Sequence, residues 1–143
     1  MLSRVFTFAL SLITLMMVGC GGTERTVEMH DTEAKTWSQS EKFRYENSDT
    51  LHRRKILITV RYDGEYVEKE VPVTILTVSP DSMVLEESFT LRIPQLADMR
   101  PDEHTFVYRN NVLLKRKGTY HFRLTPEKPA KGIAAVGIIV DEL

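Results

Sequence analysis

Apolar and polar residues alternate along most of the chain after Trp37. A period of two is typical of β-strands that bury one face, so each alternating segment predicts a strand. The segments with this pattern are KFRYE (42–46), KILITVRY (55–62), EVPVTILTV (70–78), ESFTLRI (87–93), HTFVY (104–108) and TYHFRL (119–124). Their apolar positions, such as Phe43, Ile58, Val73 and Phe122, are predicted to face the core.

Turn signals separate the strands. Asp63-Gly64 is a strong hairpin signal and predicts that the strands on either side of it pair with each other. SPDS (79–82) predicts a second turn. The last run, GIAAVGIIV (132–140), is apolar on both faces. This run fits the centre of a sandwich, a stave of a barrel or an oligomer interface, and the first is the simplest interpretation.

The spacing of these strands predicts the fold class. About seven or eight strands at intervals near ten residues, with no sustained helical period, indicate an all-β protein. We expect an antiparallel β-sandwich, Ig-like or jelly-roll-like. The chain shows no internal repeat and is long enough for one hydrophobic core, so we expect one sandwich domain over residues 37–143.

The first twenty residues have a different pattern. Arg4 gives a positive start, residues 5–18 are almost wholly apolar, and Gly19 precedes Cys20, the only cysteine. This layout is that of a secretory signal. The apolar run is shorter than the roughly 20 residues that a membrane-spanning helix needs. A single cysteine forms no disulfide within the chain, so another role for its sulfur is expected.

Val18, Gly19 and Cys20 resemble a bacterial lipobox. The resemblance implies that Cys20 receives a diacylglyceryl group on its sulfur, becomes the first residue after cleavage and is acylated on its amine. Residues 1–19 are then a lipoprotein signal peptide, and the acyl chains attach the protein to a membrane. The competing interpretation is an ordinary signal peptide with an incidental cysteine.

Residues 20–36 lack a sustained apolar period. We predict that they form the lipidated N-terminus and a tether, which would behave as a flexible coil. A short strand around residues 27–30 is the competing interpretation.

Charge excludes one class of partner. The chain carries 19 Lys and Arg against 20 Asp and Glu, which gives a formal net charge of −1. Cleavage before Cys20 would remove Arg4 and make the mature chain slightly more acidic. A chain with this balance gives no electrostatic reason to expect nucleic acid as a partner.

No residue pattern indicates catalysis, a cofactor or a metal site. The chain lacks a G-x-S-x-G segment, and the adjacent carboxylates at 86–87 and 102–103 point to opposite faces of their strands. The histidines lack the spacing that brings two imidazoles to one ion. They are His30, His52, His104 and His121. We therefore predict a non-enzymatic protein without a cofactor or metal.

Two basic clusters flank predicted strands, at residues 52–55 (HRRK) and 115–117 (KRK). Anionic lipid headgroups or lipopolysaccharide are one interpretation of such clusters. Charged strand ends also prevent edge-to-edge aggregation, and this is the interpretation that we favour from the sequence.

Four aromatic residues are our candidates for a ligand or partner surface: Trp37, Tyr62, Tyr66 and Tyr108. Aromatic side chains on a β-sandwich are suited to stacking against a ligand. The competing interpretation for Trp37 is that a single tryptophan at the start of a domain covers the core.

The sequence resembles the GldH-type gliding-motility lipoproteins of the Bacteroidetes lineage. Beyond the lipobox, the resemblance rests on Arg61, Tyr66, Gly118, Tyr120, Phe122, Gly132, Ile133, Val136, Gly137 and Ile138. It covers nearly the whole mature chain, implies an envelope lipoprotein and brings no catalytic residue. Surface-exported lipoproteins of that lineage tend to carry an acidic run after the cysteine, whereas residues 21–26 (GGTERT) hold one Glu. The periplasmic face is therefore favoured.

Three functions follow as hypotheses. The first is a non-enzymatic accessory protein, attached by lipid to an envelope membrane and docking on other envelope proteins, as in motility or secretion machinery. The second is a lipid-anchored glycan-binding module that uses the four aromatic candidates. An enzyme is the third, and it would need a cleft with perturbed histidines or carboxylates.

Overall fold

The computed structural model describes residues 22–143, which are almost entirely β-structure. One 3-10 turn covers Glu33–Lys35. The strands are β1 (Arg25–Asp31), β2 (Thr36–Trp37), β3 (Glu41–Asn47), β4 (Arg53–Tyr62), β5 (Val71–Val78), β6 (Val84–Leu91), β7 (Asp102–Leu113), β8 (Gly118–Pro126), β9 (Ala130–Lys131) and β10 (Ile133–Glu142). No helix in residues 22–143 has the length and hydropathy needed to cross a membrane.

Eight of the strands form two four-stranded antiparallel sheets. Sheet 1 has the order β1-β10-β4-β7, and sheet 2 has the order β3-β8-β5-β6. The short strands β2 and β9 pair with each other beside them. The predicted all-β sandwich is therefore confirmed.

The core lies between the two sheets and is filled by the alternating positions. Ile58, Val73 and Leu124 have no solvent exposure, and Phe43 and Phe122 are almost as fully buried. Because successive strand residues point to opposite faces, the period of two in the sequence delivers these side chains to one shared interior. Burial of a Val, Leu, Ile or Phe side chain contributes roughly 1.5–3 kcal/mol each.

Strand β10 lies between β1 and β4, so the final apolar run is the centre of a sheet, as its simplest interpretation predicted. Its inward residues Val136, Ile138 and Val140 belong to the core cluster. Its outward residue Ile139 is also buried, because it lies between Val27 of β1 and Leu57 of β4. In sheet 1 the central strand β10 therefore carries apolar residues on both faces.

The hairpin predicted at Asp63-Gly64 is wrong. The turn exists, with the Tyr66 N–H donating to the Asp63 carbonyl at 3.0 Å, but β4 belongs to sheet 1 and β5 to sheet 2. A two-residue type I′ hairpin requires positive φ at both central residues. Gly64 does not have a positive φ. The residues up to Val71 therefore carry the chain across to the opposite sheet.

The tether predicted for residues 20–36 is wrong from residue 25 onward. Residues 25–31 form β1, which pairs with β10 from Arg25↔Asp141 to Asp31↔Ala135. Backbone hydrogen bonds to a buried central strand stabilise this segment, although few of its own side chains are apolar. The competing interpretation, a short strand around residues 27–30, is confirmed. The sandwich domain therefore begins near residue 25, whereas the predicted signal peptide and Cys20 lie outside the described residues.

Candidate functional site

A shallow groove of about 340 Å³ crosses the outer face of sheet 2. Strands β3 and β8 supply exposed basic side chains to it, and β5 supplies two half-buried apolar ones. The basic residues are Lys42, Arg44, His121 and Arg123, and the apolar residues are Leu76 and Val78. Cations beside an apolar strip can bind an anionic group and the less polar surface next to it.

Strand register places the basic residues directly opposite one another. Lys42 faces Arg123, and Arg44 faces His121, on adjacent antiparallel strands. Directly opposed side chains lie about 5 Å apart, where like charges destabilise a sheet. The protein thus maintains a block of basic groups at a cost in stability, which is common where a surface has a binding role.

In the described part of the chain, no ion pair engages the three strong cations of the block. Lys42, Arg44 and Arg123 form no ion pair with any residue of 22–143. Glu28 of β1 also lines the groove, but its carboxylate is already engaged. One of its oxygens accepts from the Arg44 backbone N–H at 2.8 Å, and the other lies 3.1 Å from His30 Nε2. The three cations are therefore available to an external anion.

Protection of a sheet edge explains only half of the block. Strand β3 is an edge of sheet 2, and charged residues such as Lys42 commonly guard an edge against pairing with another chain. Strand β8 lies inside the sheet between β3 and β5, so it has no free edge to guard. Arg123 and His121 therefore point to a role beyond edge protection.

The four aromatic candidates do not form an exposed surface, so that prediction is wrong. Trp37, Tyr62, Tyr66 and Tyr108 are 0%, 1%, 3% and 8% exposed and belong to the core. Large apolar rings gain more from burial between the sheets than from contact with solvent. Trp37, Tyr62 and Tyr108 also have local hydrogen-bond partners, whereas the buried Tyr66 hydroxyl has none within residues 22–143. The Trp37 indole N–H donates to the Gln39 carbonyl at 2.9 Å, and the Tyr62 hydroxyl donates to the Pro94 carbonyl at 2.7 Å. Burial raises the pKa of Tyr66 and Tyr108 to about 12.

One histidine lies in a potential metal-ligand cluster. Ligand atoms of Asp49, His52 and Glu142 lie within 4.8 Å of one another. Hydrogen bonds from the Leu51 backbone N–H, and next from His52, lower the pKa of Asp49 to about 2. The hydrogen bond between His52 and Asp49 raises the pKa of His52. A raised pKa favours the protonated imidazole, which has no free nitrogen lone pair for a metal. Arg54 also lies 3.7 Å from Asp49, so the cluster is an ion-pair network.

The sequence analysis did not predict the groove, because the groove is formed mainly by charged residues at outward-facing strand positions. Lys42 and Arg44, and likewise His121 and Arg123, occupy alternate positions that the strand pattern marks only as outward-facing. Their convergence depends on β3 pairing with β8, which follows it by more than seventy residues. The alternation within each strand predicts which side chains face outward, but it does not predict which strand pairs with it.

Comparisons with known proteins indicate no family. No protein-family model matches the chain, and no curated protein matches it. Among solved structures, a chain of infectious bursal disease virus Gx strain has 11% identity and a TM-score of 0.46, over 87% of this chain and 34% of the viral one. This chain thus spans about a third of the viral chain.

Two further solved structures have similar scores. The mitogen derived from Yersinia pseudotuberculosis has 7% identity and a TM-score of 0.38, over 84% of this chain and 86% of that one. A carbohydrate-binding module of the β-sandwich superfamily has 12% identity and a TM-score of 0.39, over 85% of this chain and 56% of that one. All of these similarities are too distant to indicate a function.

Proposed function

We propose that this chain is a non-enzymatic envelope lipoprotein, anchored through Cys20, whose sandwich domain docks on an acidic surface of another envelope protein. The carrying observation is the block of basic residues on the outer face of sheet 2, which has no partner within residues 22–143. The lipobox pattern at residues 18–20 supports the anchor, and the small acidic content of residues 21–26 supports the periplasmic face. An accessory role in an assembly like gliding-motility machinery rests on the resemblance to the GldH-type family.

The groove favours a protein partner over a neutral glycan. Neutral sugars stack on exposed aromatic rings, and every Trp, Tyr and Phe side chain in residues 22–143 is buried or half-buried. The second function proposed from the sequence, a glycan-binding module, therefore loses the platform on which it depended. On an acidic protein surface, carboxylates can pair with the three cations Lys42, Arg44 and Arg123. Apolar side chains of the same surface can pack against Leu76 and Val78.

Crosslinking in the cell tests this proposal. A photoreactive residue replaces Val78, which lines the groove, or Val107, which lies on the outer face of sheet 1. We expect the Val78 position to capture one defined envelope protein. The double variant Lys42→Glu and Arg123→Glu should reduce that product at least about tenfold, because reversed charges repel an acidic partner.

A matched charge reversal is the control. Arg61→Glu with Lys69→Glu changes the net charge by the same amount at exposed positions outside the groove, and it should leave the crosslink intact. The proposal is wrong if Val78 and Val107 capture the same mixture of abundant proteins. It is equally wrong if both double variants weaken the crosslink to the same extent.

A further inference from the structure

The chain enters the sandwich at one end, which we call the N-terminal end. Residues 22–25, loops 48–52 and 114–117, and the β5–β6 turn (79–83) lie there. Direct contacts join these segments. The Glu142 N–H donates to the Glu24 carbonyl at 2.9 Å, and the Leu143 N–H donates to the Arg53 carbonyl at 2.9 Å.

The remaining loops are held at the same end by side chains. Asn47 Nδ2 donates to the carbonyls of Leu114 and Arg116, at 3.1 and 2.9 Å. Arg116 Nε in turn donates to Asp81 Oδ2 in the β5–β6 turn, at 3.1 Å. The segments therefore form one continuous surface.

Folding brings the two basic clusters of the sequence together at this end. Residues 52–55 cover the start of β4 and the residue before it, and residues 115–117 lie in the loop between β7 and β8. The pairing of Arg53 with Leu113 brings the two segments together. Arg53, Lys115 and Lys117 form no ion pair within the described part of the chain. Most carboxylates at this end are already paired, such as Asp81 with Arg116 and Asp141 with Arg25. Glu24 has no such pair, but the three unpaired cations outnumber it, so positive charge is in excess.

Two apolar side chains stand at the loop tips of the same surface. Leu51 is 84% exposed and Met83 is 69% exposed. Neither covers the core, so burial within the domain does not explain them. Cations beside protruding apolar residues are the combination that binds the interface of an anionic bilayer.

Guarding sheet edges does not account for these cations. Arg53 lies on β4, an interior strand, so it has no edge to guard. Lys115 and Lys117 follow β7, which is an edge of sheet 1, but they lie in the loop beyond its last paired residue and not on the strand itself.

We infer that the N-terminal end rests on the surface of an anionic phospholipid bilayer, with Leu51 and Met83 inserted and Arg53, Lys115 and Lys117 on the headgroups. The orientation rests on the proposed anchor. Only residues 21–24 separate Cys20 from β1, and five extended residue steps span at most about 17 Å. A lipid on Cys20 would therefore hold this end, and not the groove, against the membrane.

Vesicle binding tests the contact without the anchor. Residues 22–143 contain all ten described strands and the entire core cluster, so we expect this domain to fold without the first 21 residues, with a cooperative thermal transition as the check. We expect it to sediment with vesicles of phosphatidylglycerol and phosphatidylcholine, and to be released by added salt. Lys115→Gln with Lys117→Gln should weaken partitioning about 25-fold, since each cation near an anionic surface contributes a factor of about five.

The control removes two cations from the groove instead. Lys42→Gln with Arg123→Gln should leave partitioning within about twofold of the parent domain, since sheet 2's outer face is not at the N-terminal end. Leu51→Ser should weaken partitioning by the same factor at low and at moderately raised salt, because salt does not screen the insertion of an apolar side chain. The inference would be overturned if the domain bound pure phosphatidylcholine vesicles equally well, or did not bind anionic vesicles at all. It would also be overturned if the loop double variant and the groove double variant lost the same amount of binding. None of these outcomes bears on lipidation, because the domain lacks Cys20.

Discussion

Replacing Gly132 with alanine is expected to destabilise the domain by about 3 kcal/mol or more, or to prevent folding. Gly132 has a φ of +89°, a conformation that side chains with a Cβ adopt only under strain. A Cβ at this position would lie 2.2 Å from the Tyr66 nitrogen and 2.6 Å from the Tyr66 Cα. Those atoms are backbone, so no side-chain rotation relieves the contact.

The position matters because two connections meet there. The Gly132 carbonyl accepts from the Asp63 N–H at 3.1 Å, and its N–H donates to the Lys35 carbonyl at 2.8 Å. Displacement of Gly132 would therefore disturb the crossing from sheet 1 to sheet 2 as well as the start of β10. Denaturant unfolding of the domain measures the loss.

Two other glycines complete the series. Gly22 has no neighbour within 4 Å of a Cβ, so Gly22→Ala should be neutral. Gly118 has a φ of +119°, but its Cβ would meet only the Pro80 side chain, at 3.0 Å. Gly118→Ala should fall between the other two variants. A Gly132→Ala protein as stable as the parent would contradict the close packing of the crossing on β10.

Trp37→Ala is expected to cost about 3–5 kcal/mol, the usual range for removing a large aromatic side chain from a core. Trp37 has no solvent exposure, and β2 fixes its backbone by pairing with Ala130 of β9. Truncation leaves a cavity and an unpaired Gln39 carbonyl. Thermal and denaturant unfolding measure the effect.

Trp37→Phe is the matched variant, and it should cost clearly less because most of the volume remains. If Trp37 instead served as a ligand platform, Trp37→Ala would leave the unfolding midpoint unchanged and reduce only ligand binding. These two outcomes distinguish the two interpretations of Trp37 from its sequence, a ligand-binding side chain and a side chain that covers the core.

The fold class could be predicted because it depends on local periodicity. Alternation in β4, β5 and β8 marks which side chains are inside, and the two-faced run at residues 132–140 marks the central strand. Strand partners are less accessible, because pairing joins residues far apart in sequence. Asp63-Gly64 illustrates the limit, since the dipeptide predicts a turn correctly but not the sheet that the chain enters next.

Segment β1 and the groove fail to stand out in the sequence for the same physical reason. Most of the stabilisation of β1 comes from its partner β10, so its own composition resembles a tether. The groove arises from outward residues of β3 and β8, whose individual positions look like ordinary solvated charges. In each case the deciding interaction is tertiary.

Intact-mass analysis of the protein purified from its native membrane most directly tests the proposed anchorage, together with labelling by a radioactive fatty acid. We predict that the chain begins at Cys20 and carries the mass of acyl groups, and that Cys20→Ala incorporates no label. A free, unmodified amino end, or label that persists in Cys20→Ala, would show that the protein is not a lipoprotein anchored at this cysteine.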